Sequence, residues 1–189
     1  MNAEKAKQLL LDAKEVFDAL KIKFWLAHGT LLGAVRSGSF ISTDNDIDLS
    51  IISDSWLPDI CDYFVEKGFR CASTDRFGRP AKLVVKKGKI HIDIMYEYYI
   101  QPEDIFIYLS KHPHFEEDVI LAKHYREENF MTFLDTQFRI PSEPEELLKH
   151  KYGEGWKVQL TRKGFRAERK WHRVSFKKHL EWLKNSDSI

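Results

Sequence analysis

Residues 25–49 read WLAHGTLLGAVRSGSFISTDNDIDL, and the fold is decided there. They begin inside an apolar stretch, residues 22–27, that reads as a short strand. His28-Gly29-Thr30 follows as a turn, and Thr30 can cap a helix over TLLGAVRS that Gly38 ends. Asp46–Ile52 then alternates. Ile47, Leu49 and Ile51 fall on one face of a strand, and Asp46, Asp48 and Ser50 on the other.

The acidic face needs compensation. Asp44, Asp46 and Asp48 crowd into one short segment. Two like charges ~4 Å apart repel by roughly 4 kcal/mol at an effective dielectric near 20. A divalent cation offsets that cost directly, and an oxygen-only set selects Mg²⁺ or Mn²⁺ over zinc. Taken alone, the pattern also fits an exposed polar strand face. A second strand changes the weighing. His91-Ile92-Asp93-Ile94-Met95 alternates as well, with His91 and Asp93 sharing a face. If the two strands are neighbours, Asp93 stands beside Asp46 and Asp48, which makes a two-metal or metal-plus-base site. Gly29 and Thr30 open a helix whose N-terminal N–H groups suit a phosphate. This order of parts is the layout of the nucleotidyltransferase fold, an α/β (α+β) mixed sheet.

Working outward, residues 3–20 predict an amphipathic helix, 56–67 a second one capped by Gly68, and 69–74, 81–86 and 90–97 three strands. KKGK at 86–89 reads as a hairpin turn. Residues 103–110 read as a short helix, 115–139 as two more strands, Ser142–Tyr152 as a helix, and 171–184 as a last one. The organisation expected is a catalytic domain over 1–157 and a basic helical extension over 158–189, packed on it.

Charge is balanced overall, 30 Lys and Arg against 29 Asp and Glu, so nucleic acid is not expected as a partner. It is uneven locally: from Gln159 onward nine Lys and Arg face three Asp and Glu. That tail suits a solvated face, a phosphate-bearing substrate or an anionic membrane surface. Cys61 and Cys71 alone cannot build a disulfide framework or a four-cysteine zinc site, and they fit a reducing compartment. No apolar run spans a membrane and no secretory h-region opens the chain, which points to the cytoplasm, with peripheral membrane association through the tail.

The sequence resembles the LicD/fukutin family of phosphotransferases. The resemblance lies in Trp25-Leu26, in Gly29-Thr30-Leu31-Leu32-Gly33-Ala34-Val35-Arg36, in Phe40-Ile41 and in Asp44-Asn45-Asp46-Ile47-Asp48. It continues at Lys82, at His91-Ile92-Asp93-Ile94, at Pro141, and at Tyr152-Gly153 with Trp156. It implies transfer of a phospho-alcohol (phosphocholine or phosphoribitol) from a CDP-alcohol donor to a hydroxyl of a sugar or lipid-linked glycan, releasing CMP. It implies Mg²⁺ (or Mn²⁺) on Asp46, Asp48 and Asp93, with Asp44 a supporting acid. Gly29 and Thr30 would hold donor phosphate and Lys82 would neutralise it. Such chemistry decorates surface glycans such as capsule or lipopolysaccharide.

Within that picture Asp93 is a ligand first and a general base second, with His91 the next candidate base. Arg36 reaches either the donor phosphate or Asp44. Trp156 stacks on cytosine or a sugar ring, and Tyr96, Tyr98, Tyr99, Tyr152 and Trp156 either fill the core or cage a quaternary ammonium. The rival readings are a nucleotidyltransferase moving NMP from an NTP to a protein, small molecule or RNA, and a non-catalytic nucleotide-binding module.

Overall fold

The alternating segment forms strand β2 (Asp46–Ile52) in the computed structural model, which describes residues 2–55, 59–76, 78–101, 103–109 and 119–159. Ile47, Leu49 and Ile51 are fully buried, as the alternation predicts. Strand β1 (Phe24–Leu26) pairs antiparallel with β2, placing Phe24 opposite Ile51. Strand β5 (Ile90–Ile100) lies parallel to β2 on its other side. Strands β4 (Arg79–Lys87) and β3 (Arg70–Arg76) complete the order β1-β2-β5-β4-β3. Beyond the end of β2, β5 pairs with β6 (Ile105–Tyr108), and β6 with β7 (Val119–Leu121). A separate hairpin, β8 (Asn129–Phe133) and β9 (Thr136–Ile140), packs beside β1.

Helix α1 (Ala3–Ala19), capped by the Asn2 side chain, buries Leu9, Leu10, Ala13, Val16 and Phe17. The Phe17 ring meets Phe24 at 4.8 Å and Phe64 of α3 (Ile60–Glu66) at 5.6 Å. Each such buried ring contributes ~2–3 kcal/mol, and together they seal the apolar face of the sheet. Helix α2 (His28–Ser37) starts straight after β1 and stops at Gly38, whose φ of 62° is the left-handed cap expected there. Inside α2, a Cβ on Gly33 would lie 2.4 Å from the Ser39 carbonyl oxygen. The chain leaving the helix crosses Gly33 at backbone contact, and that close crossing turns it back toward β2. Among the described residues the remaining α-helices are the short α4 (Lys123–Arg126) and α5 (Pro144–Tyr152); a 3-10 turn over Glu154–Lys157 then buries Trp156.

Three expectations change. Residues 103–110 hold a strand, not a helix: Ile105–Tyr108 are β-branched and aromatic, and the free half of β5 offers them a ladder, Ile100 opposite Ile105 and Glu97 opposite Tyr108. The segment expected to give two strands holds β7, α4, β8 and β9, with its first residues outside the described ones. Cys61 and Cys71, read as reduced thiols, are joined in a disulfide with their Cα atoms 5.3 Å apart. The turn at Gly68 (φ 81°) folds α3 back on β3 and sets the two side chains face to face. The helix expected over 171–184, and the extension from residue 160 onward, lie outside the described residues. Among the described residues no helix is long and apolar enough to cross a membrane.

Candidate active site

Parallel pairing puts matching residues of β2 and β5 side by side on one face. Asp48 stands opposite Asp93, and Asp46 opposite His91. Strand β4 adds Lys82, whose Nζ donates to Asp93 Oδ2 at 2.7 Å. His91 Nε2 lies 3.7 Å from the other oxygen, Asp93 Oδ1. The start of α2 is tied to the same spot. Gly29 N–H donates to Asp48 Oδ2 at 3.0 Å, and Asp48 N–H donates to Thr30 Oγ1 at 2.8 Å. Thr30 is buried and acts as a clamp between helix and strand. The N–H of Gly29, expected to meet a donor phosphate, meets a carboxylate of the chain itself.

Burial, and after it the neighbouring Asp46 charge, push the Asp48 carboxyl up to about 8; Asp93 and Asp44 add to this and the Gly29 N–H opposes it. Asp44 belongs to the same point, because a Cβ on Gly29 would lie 2.8 Å from Asp44 Oδ2 and 3.2 Å from Asp48 Oδ2. The four expected aspartates therefore converge. Asp46, His91 and Asp93 each offer one ligand atom, and these atoms all lie within 4.8 Å of one another. Asp93 Oδ1 is buried and receives no hydrogen bond from the described residues. A crowded, partly orphaned set of carboxylates with an imidazole fits a divalent cation.

Gly29→Ala tests this crowding. The added methyl must displace both the Asp44 and the Asp48 carboxylates, so divalent-cation affinity should fall by about 10–100-fold, the usual effect of disturbing groups that support a metal site. A Mn²⁺ titration of the two proteins reads it. Unchanged affinity would mean that the carboxylates move aside freely.

The family model for LicD/FKTN/FKRP nucleotidyltransferase domains matches residues 21–143, from just before β1 to just after β9. The chain belongs to this family. Mouse ribitol-5-phosphate transferase FKTN is 25% identical over 169 residues, covering 83% of this chain and 34% of the mouse protein. Human FKTN is 25% identical over 167 residues, with 82% and 34% covered. The chain thus spans about a third of the length of these curated relatives. The solution structure of antibiotic-resistance factor ANT(2'')-Ia superposes with a TM-score of 0.51 at 13% identity, covering 88% of this chain and 82% of that one. That likeness shows the fold alone, the mixed-sheet fold expected from the sequence. The family that the sequence resemblance named is borne out.

The LicD match ends before α5, so Trp156 lies outside it. Trp156 is only 7% exposed and packs in the core. Tyr96 and Tyr98 are buried too, on the face of β5 opposite Asp93, and the Tyr98 hydroxyl donates to the Pro80 carbonyl at 2.6 Å. Tyr99 lies on the Asp93 face and donates to Asp104 at 2.9 Å. The five rings do not converge on one cage. Arg36 is half-buried in the last turn of α2, two turns from Gly29.

One group of LicD-domain residues escaped the sequence reading. Ser50 and Glu97 are fully buried on the aspartate face, and Ser50 Oγ donates to Glu97 Oε1 at 2.8 Å. Burial holds the Glu97 carboxyl above its usual range, against the pull of Lys151 on α5 and of Ser50. Lys151 is itself buried. The attraction between Lys151 and Glu97 links the helix beyond the family match to the aspartate-bearing sheet. The alternation of β2 already put Ser50 on the aspartate face; extending that of β5 past Asp93 to Glu97 would have found its partner.

Proposed function

We propose that this chain transfers a phospho-alcohol, of the phosphoribitol or phosphocholine type, from a CDP-activated donor to a hydroxyl of a sugar or lipid-linked glycan. The bond from phosphorus to the CMP leaving group breaks, a bond to the acceptor oxygen forms, and the hydroxyl proton is released. The observation that carries this reading is the convergence of Asp46, Asp48 and Asp93 from two parallel strands at the start of α2, in a LicD-family chain. The fukutin relatives are by name ribitol-5-phosphate transferases, which supports an alcohol phosphate as the group moved.

A bound Mg²⁺ or Mn²⁺ would supply charge neutralisation at the donor diphosphate. Asp46 and Asp93, with Asp48 beside them, are the carboxylates that would hold it. Asp93 Oδ2 accepts from Lys82 and its Oδ1 faces the cluster without a donor among the described residues, so Asp93 would hold the cation rather than take the acceptor proton. Lys82 is 36% exposed on a flexible stem, so its ammonium is available to an anionic donor as well as to Asp93. Gly29 keeps the helix start close to the carboxylates by having no side chain there.

The test is a thermal-shift panel of CMP, CDP, CDP-choline, CDP-ribitol, CTP, UDP and ATP, each with Mg²⁺ and with EDTA. A ligand at 100 times its Kd stabilises by about 2.7 kcal/mol, which is readily seen. Mg²⁺-dependent stabilisation by the CDP compounds is expected. Stabilisation by ATP or CTP alone would replace the proposal with nucleotidyl transfer from an NTP.

A further inference from the structure

We propose that His91 is a ligand of the divalent cation, and that its nitrogen turns the site from Mg²⁺ toward Mn²⁺. This rests on the cation-dependent reading given above and goes beyond it, because the sequence pointed to carboxylates alone as ligands.

The strand register carries the argument. His91 sits directly opposite Asp46 in the parallel pair, so the two side chains leave the sheet on the same face, side by side. Asp93, two residues on, shares that face. The Asp93 carboxylate is divided. Oδ2 accepts from Lys82 at 2.7 Å, and Oδ1 is turned to His91 Nε2 at 3.7 Å. That separation is too long for a hydrogen bond. Two donors that are near each other without being bonded to each other would be able to hold a cation between them. Oδ1 is buried with no donor from the described residues, so the atom facing the imidazole is also the one lacking a partner. The His91 side chain is 29% exposed, sheltered yet open to an entering ion.

Chemistry then separates the candidate ions. Mg²⁺ prefers oxygen and gives up its waters reluctantly. Mn²⁺ stands among the first-row metals, for which a nitrogen donor adds affinity. Carboxylates alone leave the two ions poorly distinguished; two carboxylates and an imidazole favour Mn²⁺.

The experiment uses the full chain, stripped with EDTA and titrated with Mn²⁺ while free Mn²⁺ is followed by electron paramagnetic resonance. Imidazole nitrogen modulation is sought in the electron spin echo of the bound ion. The wild type is expected to show that modulation. His91→Ala should lose it and bind Mn²⁺ about tenfold more weakly, while Mg²⁺ affinity, read by competition, changes less than twofold. Asp46→Asn serves as the variant that loses both ions. Bound Mn²⁺ without nitrogen modulation in the wild type, or wild-type Mn²⁺ affinity in His91→Ala, would overturn the role of His91 and leave the cation site standing. No Mn²⁺ binding by the wild type, even with CMP or a CDP-alcohol present, would overturn both this inference and the cation-dependent function. The wild-type echo needs no variant to fold, so the test stands if His91→Ala is unstable.

Discussion

Asp46→Asn should lower phospho-alcohol transfer by about a thousandfold or more while raising the melting temperature of the metal-free protein. The two effects have one cause. Asp46 stands among Asp48, Asp93 and Asp44, and its charge is the largest contribution after burial to the raised Asp48 carboxyl. Removing one of several crowded charges relieves repulsion that reaches roughly 4 kcal/mol for a pair ~4 Å apart at a dielectric near 20. A net gain of ~1 kcal/mol is a shift of about 2–4 °C for a chain of this size. The same charge would hold the cation that neutralises a donor diphosphate, so transfer should be lost where stability is gained. Melting in EDTA and a CMP-release assay read the two halves. A variant that loses activity and also melts lower would mean that Asp46 is a structural residue.

The second large effect is in pH. The Asp48 carboxyl ordinarily titrates near 3.8 and is pushed up to about 8 in the folded chain. Between those values the folded chain keeps a proton that the unfolded chain has released. Its contribution to stability is therefore complete below the lower value and is lost as pH rises toward the upper one, by ~1.4 kcal/mol per pH unit. Asp48→Asn removes this titration with little change of shape. In EDTA, stability of the wild type relative to Asp48→Asn should fall steadily from pH 5 to 7.5. Glu97, also raised by burial, acts in the same direction but is present in both proteins and cancels in the difference. Equal slopes for the two proteins would mean that Asp48 is already ionised in the fold at pH 5.

The aspartate strand was legible because one segment carried two signals. Asp46–Ile52 alternates without interruption, and the apolar half of the alternation demands a core while the acidic half demands a partner. Asp93 was legible for the same reason, and the structure seats it opposite Asp48. Glu97 was not. A glutamate in an amphipathic strand reads as solvent-facing, and its partner Lys151 comes from a helix far along the chain. Nor was β6 legible, since a short apolar run after Pro102 takes its conformation from whichever ladder it can join. The place of Thr30 was found, and the structure adds that its hydroxyl accepts from the Asp48 backbone N–H. Cys61 and Cys71 show the limit of counting, because a tight turn decides their meeting and composition does not.

The parallel pairing of β2 with β5 also bears on how the chain folds. Parallel neighbours need a long crossover, and here the crossover carries α3, β3 and β4. The loop-closure entropy of bringing Asp48 to Asp93 is therefore met before any contact between them forms, which makes this a late and slow step. A ribosome-bound fragment ending before β5 holds Gly29, Asp46 and Asp48 but lacks half of the cluster. Cation capture would then mark the completed sheet, and a nascent or misfolded chain would leave Mn²⁺ in solution.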